Sequence, residues 1–107
     1  MDSQNEKHED AGLNLQAIDD IIHGRLRLGI MAYLSAVNPA SFTELQKRTE
    51  TSNGNLSTHL GKLEKAGYVT QEKGYNGKRP LTLVHLTDTG RTAWITYLAE
   101  MRKLLNP

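Results

Sequence analysis

A mostly α-helical domain carrying one small β-hairpin is the fold that this 107-residue sequence predicts. Three observations predict it. Apolar residues recur at three- and four-residue spacings through most of the chain. After Gly67 the pattern changes to two short runs rich in β-branched residues. Those runs flank Asn76-Gly77, a strong turn dipeptide. A chain of this length has room for one hydrophobic core.

Residues 1–12 are polar, with no large apolar residue after Met1, and cannot bury enough surface to offset the entropy of ordering. They are expected to form a flexible acidic tail, leaving 13–107 as the single domain. Leu15, Ile18 and Ile22, with Ile21 beside them, predict a first helix ending at Gly24. Leu26, Ile30, Met31 and Leu34 predict a second, which stops before the turn at Asn38-Pro39. Ser41-Phe42-Thr43-Glu44 has the form of a capping box, with Ser41 accepting from the Glu44 amide and Glu44 reaching back to Ser41. It opens a short third helix over roughly 42–48. Thr51-Ser52-Asn53-Gly54 supplies a turn and an N-cap for a fourth helix, in which Leu56, Leu60 and Leu63 repeat until Gly67 ends the run as a C′ residue. Strands over 68–73 and 81–86 then enclose a long basic tip at 74–80. Thr87-Asp88-Thr89 opens a last helix, about 88–105, whose apolar face is Ala93, Trp94, Tyr97, Leu98, Met101, Leu104 and Leu105.

Charge is unevenly placed. Residues 1–24 carry six acids and one base, and the remainder twelve bases and six acids, so a formal +1 hides −5 followed by +6. Such asymmetry points to nucleic acid or another acidic surface as partner of the basic part. The longest nearly apolar run, Leu28 to Leu34, is far short of the roughly 20 residues that span a bilayer, and no signal peptide opens the chain. A cytoplasmic, nucleoid-associated location is expected. With no cysteine there is no disulfide framework, thiolate metal site or thiol switch. His8, His23, His59 and His85 are scattered, and no P-loop, zinc-binding His pair or nucleophile elbow is present, so an enzyme is not expected and no cofactor is implied. Asp19 and His23, four residues apart, suit a helix-surface ion pair better than a metal site.

Two helices joined by a tight polar turn, with a hairpin directly behind, is the order of a winged helix-turn-helix. The run Leu56-Ser57-Thr58-His59-Leu60-Gly61-Lys62-Leu63-Glu64-Lys65-Ala66-Gly67-Tyr68-Val69 closely resembles the recognition helix and first wing strand of MarR- and ArsR-type transcriptional regulators. His23-Gly24-Arg25-Leu26-Arg27-Leu28-Gly29-Ile30-Met31 is similar to that family's second-helix opening, and Leu86-Thr87-Asp88-Thr89-Gly90-Arg91 to its wing-to-last-helix signature. The resemblance covers about Leu15 to Leu105. It implies a dimeric, sequence-specific regulator that binds double-stranded DNA, with a recognition helix at about 53–66 and a wing at about 74–80 on the backbone or in the minor groove. Where the family senses effectors, no dedicated sensor domain is expected from these 107 residues, since the winged helix and terminal helices use nearly all of them. A cleft at the dimer interface lined by Trp94, Tyr97 and Tyr33 competes with simple core packing, the commoner use of aromatic residues at helical spacing, and the effector stays unassigned.

The residues themselves supply candidates. The N-terminal part of a recognition helix reaches base edges, and Ser52, Asn53, Asn55, Ser57, Thr58 and His59 occupy it. Asn pairs with adenine in two-point contact, Ser and Thr with several bases, and Ser52 suits the cap better than readout. Lys62, Lys73, Tyr75, Lys78 and Arg79 provide phosphate donors. From Lys47 to Arg79 the net charge is +4. About six neutralised phosphates per dimer would set a log–log salt slope of about −5. Arg27 suits a structural pairing with an acid slightly better than a phosphate. Leu15, Ile18, Ile22, Trp94, Tyr97, Leu98, Met101 and Leu105 are the candidate homodimer interface. The competing function is a winged helix that uses its basic wing to bind an acidic protein partner.

Overall fold

The computed structural model describes residues 14–106, so the acidic tail expected over 1–12 lies outside the described residues. Four helices and a three-stranded antiparallel sheet follow one another as α1 (Arg25–Ala36), β1 (Ala40–Ser41), α2 (Phe42–Thr49), α3 (Asn53–Lys65), β2 (Val69–Asn76), β3 (Arg79–Leu86) and α4 (Asp88–Leu105). The sheet order is β1-β3-β2. β1 pairs Ala40 with Val84 and Ser41 with Leu83. Two residues carry no readable period, so this third strand had no signal in the sequence.

The predicted first helix is absent. Only a single 3-10 turn, Leu15–Ala17, forms there. Asp19 is the reason: its Oδ1 accepts from the amides of Ile21 (2.8 Å) and Ile22 (3.2 Å). A short carboxylate side chain that binds its neighbours' amides offers the backbone an alternative to the helix. The turn still delivers Ile22 into the core, where it is fully buried.

Caps and breakers act locally as expected. Ser41 Oγ accepts from the Glu44 amide at 3.0 Å, and Ser52 Oγ from the Asn55 amide at 3.1 Å. The capping box is only half made, because the Glu44 carboxylate is taken by the Tyr33 hydroxyl. α3 closes in a Schellman arrangement around Gly67 (φ 84°), with the Gly67 amide on the Glu64 carbonyl and the Tyr68 amide on that of Leu63.

The hairpin is longer and its turn tighter than predicted. Pairing runs unbroken from Val69–Leu86 to Asn76–Arg79, leaving Gly77 and Lys78 as a two-residue turn. Gly77 alone of the pair has positive φ (66°), the pattern of a type II′ turn. Val69, Val84 and Leu86 anchor the hairpin base.

The core gathers Ile30, Met31 and Leu34 of α1, Leu45 of α2, Leu56, Leu60 and Leu63 of α3, and Trp94 and Tyr97 of α4 around Ile22 and the sheet. Each large side chain buried there contributes about 1.5–3 kcal/mol. Trp94 and Tyr97 stack with centroids 5.8 Å apart. α4 abuts the start of the wing. Thr87 Oγ1 accepts from the Gly90 amide (2.9 Å) and donates to the Gly67 carbonyl (2.6 Å). A Cβ at Gly90 would lie 2.1 Å from the Tyr68 carbonyl oxygen, so that close approach needs glycine. Among the described residues, no helix is long and apolar enough to cross a membrane.

Candidate nucleic-acid interface

α2 and α3 are joined by three residues, Glu50, Thr51 and Ser52, with Glu50 in the left-handed region (φ 54°). Gln46 Nε2 donates to the Thr51 carbonyl at 2.6 Å and fixes this turn. α3 is pinned to the core by Leu56, Leu60 and Leu63, so its other faces are free. Asn53, Asn55, Ser57, Thr58 and Lys62 are all exposed there. Asn55 is also oriented, since its Nδ2 donates to Thr51 Oγ1 at 2.8 Å. Ser52 is spent on its cap.

His59 differs from its exposed neighbours in the expected readout set. It is half-buried, and its Nδ1 meets Arg27 Nη1 at 2.8 Å. Burial first, then the Arg27 and Lys62 charges, holds its pKa below the ordinary 6.5. Among the described residues Arg27 pairs with no acid: its Nε donates to the Ile21 carbonyl and its Nη2 to that of Asp20 (3.3 Å). This one guanidinium ties the segment before α1 to the recognition helix.

The expected basic cluster at the wing is divided by the strand register. Residues paired across the ladder share a face and successive residues alternate. Lys73 and Tyr75, opposite Thr82 and Pro80, therefore lie on the face that nearer the base carries Val69 and Val84. Arg79, opposite Asn76, lies on the other face, along with Glu72 and His85, which bond at 2.9 Å. Lys78 sits in the turn. From Glu72 to Pro80 every residue is exposed, Tyr75 at 75%, so the distal half of the ribbon packs on nothing.

Asp19 and His23 form no ion pair with each other. Asp19 Oδ2 accepts from the Tyr68 hydroxyl at 2.5 Å, and His23 Nδ1 meets the Tyr97 hydroxyl at 2.9 Å. Burial and the Asp19 carboxylate push the Tyr68 hydroxyl up to about 12. Burial also raises Tyr97, with Asp19 adding to it. Among the described residues, no three His, Asp or Glu side chains are grouped to hold a metal.

Trp94, Tyr97 and Tyr33 do not share one environment within the chain. Trp94 and Tyr97 are core, while Tyr33 lines a different, open cleft of about 980 Å³ between α1 and the α2–α3 turn. Of the expected interface residues, Ile22, Trp94 and Tyr97 are consumed by this chain's own core. Leu15, Leu98 and Leu105 remain exposed, joined on α4 by Ile95, while Ile18 and Met101 are half-buried.

A helix-turn-helix whose second helix is followed by an antiparallel ribbon defines a winged-helix DNA-binding protein. The chain belongs to the winged helix DNA-binding domain family, whose model matches residues 26–105. It is 32% identical over 84 residues to an uncharacterized protein of Methanocaldococcus jannaschii, covering 78% of this chain and 91% of that one. The solved structure of a transcriptional regulator homologue protein from Pyrococcus horikoshii OT3 superposes with a TM-score of 0.76 at 29% identity, covering 94% of this chain and 95% of that one. A MarR family transcriptional regulator from Silicibacter pomeroyi shares the fold with a TM-score of 0.64 at 23% identity, over 92% of this chain and 66% of that one. The chain is thus a DNA-binding regulator of the winged-helix type.

Proposed function

We propose that this protein regulates transcription as a homodimer that reads a specific duplex sequence, each protomer placing α3 in the major groove and its wing on the flanking backbone or minor groove. The observation that carries this reading is the bare distal hairpin: Lys73, Tyr75, Lys78 and Arg79 sit on a ribbon whose tip has no packing role. Beside it, Asn53, Asn55, Ser57 and Thr58 stand exposed on a rigidly seated helix. Base edges in the major groove are distinguished by such donors and acceptors, while the wing's cations supply sequence-independent affinity. The exposed Ile95, Leu98 and Leu105 on α4 support pairing of two copies, which would set two half-sites about 34–36 Å apart.

A gel-shift series tests this, using DNA from upstream of the protein's own gene against random duplex at two salt concentrations, with light scattering to give the mass. Sequence-selective binding tighter than micromolar by a dimer is expected. Binding of every duplex no better than the roughly 10⁻⁴ to 10⁻⁶ M of nonspecific contact would reject it in favour of the acidic protein partner.

A further inference from the structure

α1 begins in a way its own stability does not explain. Its N-cap, Gly24, offers no side chain, and no acid occupies the first turn; Arg25 and Arg27 stand there instead. Cations at a helix N-terminus oppose the helix dipole. Arg27 is accounted for by His59 and two carbonyls. Arg25 is not: it is exposed, and among the described residues it has no carboxylate partner.

Arg25 lines the open cleft between α1 and the α2–α3 turn. Across that cleft stands Arg48, its guanidinium 5.5 Å from the centroid of the Tyr33 ring, and Glu50 is the one carboxylate in the lining. The cleft is continuous with the reading surface, because Thr51, Asn55 and His59 form its wall on the α3 side. The wing approaches α3 from the other side, where Gln71 Nε2 donates to Glu64 Oε1 at 3.0 Å. Nine residues, about two and a half turns, separate Asn55 from Glu64, so cleft and wing flank the helix on opposite sides.

A helix lying in the major groove has a phosphate strand on each side of it. The wing serves one of them. We infer that the cleft serves the other, with Arg25 and Arg48 contacting DNA phosphates there. This rests on the DNA-reading role proposed above. Arg25 lies there as a phosphate donor, and the cost of a cation at the start of α1 is the trace of that role. Arg48 is also favoured by its place at the C-terminal end of α2, so Arg25 is the sharper probe.

The test is fluorescence anisotropy of the full chain with random-sequence duplex from low to moderate salt, comparing wild type with Arg25→Gln, Arg25→Lys, Arg48→Gln, Arg79→Gln and Arg102→Gln. Arg25→Gln and Arg48→Gln should each reduce the log–log salt slope by about 0.9 for every phosphate left without its cation, and weaken binding to all duplexes alike. Arg25→Lys should restore most of the slope, and Arg102→Gln, on the last turn of α4, should leave it unchanged. Thermal melting should show Arg25→Gln at least as stable as wild type, which separates a missing phosphate donor from a damaged fold. If Arg79→Gln lowers the slope and Arg25→Gln does not, the cleft assignment is wrong while the winged-helix reading stands. If wild type binds no duplex, both fail together.

Discussion

Arg27 Nη1 lies 2.8 Å from His59 Nδ1, joining the first turn of α1 to the middle of the recognition helix. Arginine only donates, so Nδ1 must accept, which leaves the imidazole neutral with its proton on Nε2. The folded chain holds the His59 pKa below the ordinary 6.5, so the unfolded chain takes up this proton at the higher pH. The pair's contribution to stability is complete above pH 6.5 and is lost as pH falls through the folded value. Urea denaturation between roughly pH 5 and pH 8 should show this decline in wild type. His59→Gln should flatten it; an unchanged pH profile in that variant would place the titration elsewhere.

Asp19 is expected to act as the clamp of the segment before α1. It holds two amides and the Tyr68 hydroxyl. Asp19→Ala should cost about 1–2 kcal/mol, the range of a lost side-chain cap. It should also bring the Tyr68 hydroxyl down from about 12 toward its ordinary 10.0. Spectrophotometric titration of the tyrosines against a Tyr68→Phe control measures the second effect.

Two glycines should respond in opposite directions to the same added methyl. Gly90→Ala drives a Cβ to 2.1 Å from the Tyr68 oxygen and 2.9 Å from Leu86 Cδ1, both parts of a packed junction. A loss of about 3 kcal/mol, or failure to fold, is expected. At Gly61, exposed on α3, a Cβ meets nothing within 4 Å. Gly61→Ala should raise stability by about 0.5–1 kcal/mol through helix propensity. A more stable Gly61→Ala variant with weakened DNA affinity would be the signature of DNA lying close against α3.

Wing and recognition helix should separate by the kind of loss they cause. Arg79→Ala should weaken binding to all sequences alike and flatten the salt slope by about 0.9 for each phosphate that Arg79 neutralises. Asn55→Ala should cost roughly 1–3 kcal/mol of discrimination at one base pair. Competition assays against single-position operator variants distinguish the two. Unchanged nonspecific binding and salt slope in Arg79→Ala would overturn the wing assignment.

On the proposed pairing through α4, Leu98→Glu should convert a dimer to a monomer with the fold intact. Leu98 is 40% exposed within one chain, so the monomer should lose about 1–2 kcal/mol, the share of leucine burial made inside the protomer. Light scattering and a melting curve on the same sample check both halves. A variant that stays dimeric would move the interface away from this part of α4.

Much of the fold was legible because much of it is local. The leucines of α3 repeat at helical spacing, Ser52 caps it, and Gly67 ends it; none of these depends on anything more than a few residues away. The exposed reading face followed once the buried one was known. Two local inferences still failed because a distant group competed. Tyr33 took the Glu44 carboxylate that the capping box had assigned to Ser41. Asp19, shared between neighbouring amides and Tyr68, broke the helical period of Leu15, Ile18 and Ile22. The hairpin tip was misjudged for a different reason. Gly74, Tyr75, Asn76, Arg79 and Pro80 are all exposed, so hydrophobic alternation does not mark them as strand, and only the ladder does.

By itself, the sequence determined the four helices from α1 to α4, the hairpin between the last two and their order, since period, caps and turn chemistry are properties of adjacent residues. Tertiary structure alone decided which functional side chains remain available. Arg27 and His59, 32 residues apart, are hydrogen-bonded to each other, so Nδ1 of the imidazole is taken. Trp94 and Tyr97 leave the expected interface for the core, and the register of β2 on β3 puts Lys73 and Arg79 on opposite faces. Arg25 is left facing an open cleft beside Asn55. Each of these outcomes depends on a partner far along the chain, and such pairings become defined only when burial and hydrogen bonding close the fold.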